Sequence, residues 1–159
     1  MASWAQPARE NGYHQEHAIL VLSSFARWTG RALLANAPAP AEQAAGLFHA
    51  PFAVVSHDTQ RDPIFNYGNR TALELFGYSW AEFTALPSRL SAEPLHRDER
   101  ARLLELVSLQ GCYMDYRGVR IGRSGRRFRI EGAAVWNLLD EHGAPYGQAA
   151  MFDSWVFLP

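Results

Sequence analysis

The sequence is poor in cysteine, in charge of one sign and in long apolar runs. Its 159 residues include one cysteine, Cys112, which excludes an internal disulfide and suits a reducing compartment. No stretch approaches the ~18 apolar residues of a membrane span, and the N-terminus does not resemble a signal peptide. The formal net charge of −1 gives no long-range field to attract nucleic acid or anionic lipid. We therefore expect a cytoplasmic protein that binds neither nucleic acid nor a membrane.

Sequence signatures of common enzymes are also missing. The chain has no G-x-S-x-G elbow, no P-loop and no Rossmann glycine set. Ser56, His57 and Asp58 are residue types of a catalytic triad, but neighbours along a strand point to opposite faces. We interpret His57 and Asp58 as turn-capping residues. The sequence predicts a protein that is not an enzyme.

What the chain does contain is enough apolar material for a packed domain, since 48% of its residues are hydrophobic and 13% aromatic. Residues 13–34 carry apolar side chains at three- and four-residue steps, which predicts an amphipathic helix of about six turns. The segment 35–43 is rich in Ala and Pro and predicts a connector, with one short helical turn near 42–45. We therefore divide the chain into an N-terminal helix and connector, 1–45, and a main domain, 46–159.

The main domain begins with a strand-to-helix elbow. Residues 51–56 and 63–65 predict two short strands, and helices are predicted over 70–77, 79–83 and 96–111. Tyr67 and Gly68 end the second strand, Asn69 can cap the following helix, and Gly77 stops it.

Three strands are predicted to follow these helices. The sequences CYMDYRGVRIG and RRFRIEGAAVW flank Arg123-Ser124-Gly125, where Gly125 can supply the positive φ of a hairpin turn. The last strand is predicted over YGQAAMFDSWVF. Strands that are separated from helices along the chain predict an α+β fold with an antiparallel sheet.

Specific motifs give this order a family resemblance. NYGNRTALELFGYSWAEF resembles the N-x-A-x-x-x-L-x-G-Y-x-x-x-E run of PAS domains, and AVWNLLDEHGAPYGQAAMFD resembles their closing hairpin. RWTGRALL, SHDTQRDPIFNYGNRTALELF, LPSRLSAEP and YRGVRIGRSGRRFRIEGAAVWNLLDEHG together resemble the MEKHLA domain over roughly 14–157. This PAS-related module occurs alone in bacteria and at the C-terminus of plant homeodomain–leucine-zipper regulators. The resemblance implies a five-stranded antiparallel sheet with flanking helices and a role in sensing, interaction or dimerisation, but it names no ligand.

A PAS-like fold implies a pocket between the sheet and the helices. The residues expected to line it are Phe52, Val54, Ser56, Phe76, Leu86, Leu103, Arg120, Ile130, Ala134 and Met151. Apolar walls with a few polar anchors suit a small-molecule site and also an ordinary filled core. The small residues Gly132, Ala133 and Ala134 favour space for a ligand.

Comparison with cofactor-binding PAS domains argues against flavin and haem, so the cofactor stays unknown. LPSRLSAEP lacks the cysteine of light-oxygen-voltage (LOV) photosensors. Arg120, Ile130 and Met151 stand where those domains use amides to bind the flavin. His96, in the first turn of its helix, is interpreted as an exposed capping residue and not as a haem ligand. His14 and His17 could pair on one helix face, but without a third ligand we expect two solvated histidines and no metal site.

Two interpretations of the arginine-rich hairpin, 117–129, stay open. Arg120 or Arg129 could enter the pocket and bind a carboxylate or phosphate. Alternatively the arginines lie on a sheet face in weak cross-strand pairs with acids, which is the interpretation we favour. A register slip of one residue would exchange the two faces.

The N-terminal helix suggests an interface. Ile19, Leu22, Phe25 and Trp28 form an apolar stripe that would pack on the outer sheet face or against a second copy, near Trp136 or Trp155. We expect a homodimer, and we expect any output to pass through a partner protein or the oligomer. Two functions thus compete: a small-molecule sensor that signals through dimerisation or a partner, and a ligand-free interaction module.

Overall fold

The computed structural model describes residues 5–35 and 39–159. Its helices are α1 (Gln15–Thr29), α2 (Pro40–Phe48), α3 (Arg70–Phe76), α4 (Trp80–Phe83) and α5 (Pro94–Gln110), with 3₁₀ turns at Arg9–Asn11 and Ser88–Ser91. Its strands are β1 (Ala53–His57), β2 (Phe65–Gly68), β3 (Cys112–Ile121), β4 (Arg127–Leu139), β5 (Pro145–Phe152) and β6 (Ser154–Phe157).

All paired strands are antiparallel, in the order β2-β1-β5-β4-β3. β6 continues the line of β5 and pairs with the first part of β4. The strand predicted over 146–157 is therefore two strands, separated at Asp153. The predicted α+β class and antiparallel sheet are confirmed.

The two faces of the sheet are covered by different helices. Val55, Ala150 and Val135 lie side by side on one face, and their neighbours Val54, Met151 and Ala134 lie on the other. The first face, here called the inner face, is covered by α5: the Asn137 side chain donates a hydrogen bond to the α5 carbonyl of Val107. The other, the outer face, is covered by α1, where the Trp136 ring nitrogen donates to the carbonyl of Val21.

The N-terminal helix is shorter than predicted, and its connector is more ordered. α1 ends at Thr29, and Gly30 caps it with a φ of 70° and an N–H that donates to the carbonyl of Ala26. The segment after it contains a nine-residue helix, α2, where only one short turn was expected. Pro40 stands at the start of this helix, a position where its missing N–H costs nothing, so the prolines of the connector do not exclude a helix there.

Asn69 holds the elbow together. Its Oδ1 accepts hydrogen bonds from the N–H groups of Ala72, 3.1 Å away in α3, and Val54, 3.0 Å away in β1. Its amide donates to the carbonyls of Leu47 and Phe52. The expected helix cap thus also ties α2 to β1. Gly68 is required here because a Cβ at this position would lie 2.8 Å from the Phe83 ring.

The helices and the sheet share one hydrophobic cluster. Residues of α1 and α2, such as Val21, Phe25 and Leu47, belong to the same cluster as Val135 and Trp136 of β4. The division of the chain near residue 45 stays a prediction, and it does not coincide with a boundary between two cores.

Candidate functional site

A cavity of about 50 Å³ lies between the inner face and α5. Most of its wall is apolar, from Val55, Phe65, Phe76, Leu103, Leu104, Ile130, Val135, Ala149, Ala150 and Phe152. Its polar lining residues are Ser56, His57, Ser91, Arg100, Tyr116, Arg120 and Gln148. It has room for a few water molecules or a small organic group, and it is smaller than a typical pocket for a drug-sized ligand.

Half of the residues predicted to line the pocket lie at this cavity: Ser56, Phe76, Leu103, Arg120 and Ile130. Val54, Ala134 and Met151 face away from it, because they form one row across the outer face. Phe52 precedes β1, and Leu86 lies beyond the cavity, where its carbonyl accepts a hydrogen bond from Phe65. The errors on the strands are slips of one residue, which exchange the faces.

Ser56 borders the cavity, but its hydroxyl bonds to His17 of α1 and to Asn66 on the outer face. Gly132 has a φ of 61° and interrupts the alternation of β4. The cavity lining includes none of the small residues 132–134, so the expectation that they leave space for a ligand was wrong.

Arg120 was expected among the residues that line the pocket, although a surface position was favoured for the arginine-rich hairpin as a whole. The Arg120 side chain is buried at the cavity, with 7% of the residue exposed. It donates to the carbonyl of Val119 and to the hydroxyl of Tyr116, at 2.9 and 3.1 Å. The surface interpretation does hold for Arg129, which pairs with Glu131 at 3.0 Å, and for Arg127, which pairs with Glu93 at 3.8 Å.

Arg100 was missed. It is 9% exposed and lies on α5, where it donates to the Ser88 hydroxyl at 2.9 Å. Burial and the nearby Arg120 lower the pKa of Arg100 to about 10. The spacing of residues in the helix could have identified Arg100 as a buried side chain. Arg100, Leu103 and Val107 are the buried residues of α5 and recur at steps of three and four.

His57 and Gln148 separate the cavity from the surface. Both also line an open groove of about 300 Å³ between the β1–β2 connection and β5. The Gln148 amide donates to the carbonyl of Leu104 at 3.0 Å and to Asn137 Oδ1 at 3.1 Å. Burial lowers the pKa of His57, and Arg100 lowers it further, while Asp58 and Gln148 act in the opposite direction.

On the outer face, His17 corrects the expectation of two solvated histidines. It is 2% exposed, its Nε2 lies 2.8 Å from the Ser56 hydroxyl, and its ring stacks on Tyr67. Burial lowers the pKa of His17 to about 4. In the described part of the chain no three His, Cys, Asp or Glu side chains are grouped to hold a metal ion.

The stripe predicted for a dimer interface faces the chain's own sheet. Leu22 and Phe25 are buried, and Phe25 packs edge-on against Trp136 with ring centroids 4.9 Å apart. Trp28 donates to the carbonyl of Asn137, and Ile19 borders a groove beside α1. Trp136 lies on the outer face as expected, but Trp155 pairs opposite Ile130 and contacts Phe152, so it lies on the inner side.

Among solved structures, the chain is similar to a PAS domain from Colwellia psychrerythraea, with 18% identity, a TM-score of 0.61 and coverage of 74% of this chain and 94% of that one. It is also similar to a LOV domain from a study of a flavin analogue, with 16% identity, a TM-score of 0.58 and coverage of 73% and 84%. An RNA-binding LOV receptor gives 17% identity and a TM-score of 0.63, over 81% of this chain and 36% of the receptor. These likenesses define a PAS-like fold.

A family model identifies which PAS-related family the chain belongs to. The chain belongs to the MEKHLA domain family, whose match covers residues 15–157, and the resemblance seen in the sequence is thereby confirmed. A comparison with curated proteins found no match. Membership in this PAS-related family supports a sensory or regulatory role. None of the helices within residues 5–35 and 39–159 combines the length and the apolar character that a membrane span requires.

Proposed function

We propose that this protein is a sensory module that binds a small molecule between the inner face and α5, and that it signals through a partner or a second copy. The observation that carries the proposal is the cavity at the inner face, where apolar walls meet several buried polar side chains. A small set of polar groups within an apolar wall is typical of small-molecule sites. The proposal contains no catalytic step.

α5 connects the cavity to the surface. Leu103 and Leu104 border the cavity, while Leu109, 81% exposed, and Leu106, 39% exposed, lie on the solvent side of the same helix. A ligand that favours one position of α5 would therefore change the presentation of these leucines. The size of that change is limited by the difference in ligand affinity between the two positions.

The test is a thermal-shift screen of metabolites on the wild type and on Ala150→Leu. Ala150 borders the cavity on a central strand, so leucine there would fill the space. A compound present at 100 times its Kd adds about 2.7 kcal/mol of stability, or roughly 5–10 °C in Tm for this size. We expect at least one compound to stabilise the wild type and not Ala150→Leu. The absence of any stabilising compound, or equal shifts in both proteins, would overturn the proposal.

The second candidate is a ligand-free homodimerisation module, favoured by the exposed leucines of α5. Leu95 is 85% exposed near the start of the helix, and Leu106 and Leu109 lie three residues apart near its end. Light scattering across protein concentrations would show a dimer that Leu109→Glu dissociates, whereas the exposed control Arg102→Glu would leave it intact. This candidate replaces the sensor only if the dimer forms and the metabolite screen is empty.

A further inference from the structure

The cavity contains two buried cations that form no ion pair with an acid in the described part of the chain. Arg100 and Arg120 both line it, and each is at least nine-tenths buried. Within the described residues, the ion pairs join carboxylates to other cations and include neither of these arginines. Buried charges in proteins are normally paired, because removing an ion from water costs several kcal/mol. The neighbouring Arg120 makes the case stronger for Arg100, because a like charge nearby disfavours the charged form of that side chain.

Neutral groups of the fold hold both guanidinium groups without neutralising them. Arg100 donates to the Ser88 hydroxyl, and Arg120 to the Val119 carbonyl and the Tyr116 hydroxyl. A guanidinium has five N–H groups, so these bonds leave several donors on each side chain for another acceptor. Burial raises the pKa of Tyr116, whose hydroxyl stays protonated and donates to Glu99 at 3.1 Å. Glu99 is exposed and reaches Arg120 only through this hydroxyl.

Gly118 leaves the space that this arrangement requires. A Cβ at position 118 would overlap the Tyr116 hydroxyl and lie 3.0 Å from Nη1 of Arg120. The Arg120 guanidinium also lies over the Tyr116 ring, 5.5 Å from its centroid. Arg120 is therefore held in place before any ligand arrives, which reduces the entropy lost on binding.

We propose that the cavity binds a small organic carboxylate, with Arg100 and Arg120 holding the carboxylate and the apolar wall holding its hydrocarbon part. Arginine suits this role because its planar fork matches a carboxylate. The apolar remainder of the cavity, including Phe76, Leu103 and Val135, favours an organic acid over a fully polar anion such as inorganic phosphate. This inference rests on the proposed function, because it names the ligand class of the same site.

The experiment uses sodium acetate, butyrate and hexanoate, with the neutral amides of the same chain lengths and with inorganic phosphate, at constant ionic strength. Wild-type Tm is expected to rise by several degrees with at least one carboxylate and to change little with its amide or with phosphate. Arg100→Gln and Arg120→Gln are expected to weaken binding at least tenfold. Arg102→Gln and Arg117→Gln, exposed residues of the same helix and strand, are expected to bind as the wild type does.

A second measurement needs no variant. Arg100 lowers the pKa of His57, so a bound carboxylate that neutralises this cation would raise the pKa of His57. Imidazole NMR titration of the wild type is expected to show this rise with the stabilising carboxylate and not with its amide. Arg100→Met adds a stability test: without ligand it is expected to be at least as stable as the wild type, because it removes an unpaired charge.

The possible results distinguish a failure of the carboxylate assignment from a failure of the proposed small-molecule site. Equal binding of carboxylate and amide, or preferential binding of phosphate, would overturn the carboxylate assignment and leave a small-molecule site in place. Undiminished carboxylate binding by both glutamine variants would also overturn it. If no carboxylate binds, the inference fails, and the broader metabolite screen on wild type and Ala150→Leu decides separately whether the cavity binds anything.

Discussion

The inner and outer faces of this sheet differ in how their polar groups are satisfied. On the outer face, His17 bonds to Ser56, Ser56 bonds to Asn66, and the Trp136 ring donates to α1. On the inner face, Arg100 and Arg120 are also buried, but no acid is paired with them in the described residues. The polar groups named on the outer face are neutral, whereas those on the inner face are cations without a paired acid, which gives the inner face the character of a binding site. Substitutions that enlarge or remove a side chain should therefore change the free energy of unfolding more on the outer face than on the inner face.

The largest expected effect is on the outer face. Phe25→Ala should lower the free energy of unfolding by about 3–5 kcal/mol, since it removes a buried ring that packs on Trp136. Urea denaturation would measure this loss. A loss below about 1 kcal/mol would show that α1 does not pack on its own sheet in solution, and it would favour an interface between copies through this helix.

Acid should weaken the outer face through His17. The folded-state pKa of about 4 lies below the ordinary value of 6.5, so the unfolded chain binds more protons between these pH values. Stability is therefore full above pH 6.5 and falls as the pH decreases to 4, by about 3 kcal/mol from this residue. Denaturation at pH 7 and pH 4 would measure the fall, to which His57 adds in the same direction.

Two variants test whether His17 causes this pH dependence of stability. His17→Gln should remove most of it, whereas His142→Gln, at an exposed histidine, should leave it unchanged. An unchanged pH dependence in His17→Gln would mean that this histidine is solvated in solution, as the sequence alone suggested.

A matched pair of alanines compares the faces directly. Ala134→Val adds two methyl groups to the packed outer face and should cost about 1–3 kcal/mol. Ala150→Val adds the same groups beside the cavity and should change stability by less than about 0.5 kcal/mol. Both free energies would come from urea denaturation. Equal costs would indicate that the inner face is as tightly filled as the outer one.

The sequence predicted the fold well where local chemistry determines it. Asn69 and Gly77 have side-chain and backbone preferences that mark a helix start and end whatever lies around them. Prediction failed where the outcome depends on the register of distant strands. Val54 and Met151 were assigned to the pocket face because period-two patterns do not say which face is which when both are apolar. Both faces are apolar here because helices cover both.

The candidate site was harder to predict because burial of a charge is a tertiary property. Arg120 and Arg129 are equivalent in composition and spacing, yet one lies at the cavity and the other pairs with Glu131 at the surface. Arg100 could have been found from its place on the buried stripe of α5. His17 was misjudged because two polar histidines near the N-terminus gave no sign that Ser56 would lie opposite.

The most direct test of the account is methyl NMR of the protein titrated with sodium butyrate. The methyl groups of Leu103, Ile130 and Val135 border the cavity, and those of Val21, Leu22 and Val54 belong to the α1 side of the core. We predict saturable shifts in the first set and none beyond those caused by sodium chloride in the second. Shifts confined to the second set, or no saturable shift at all, would contradict a carboxylate site on the inner face.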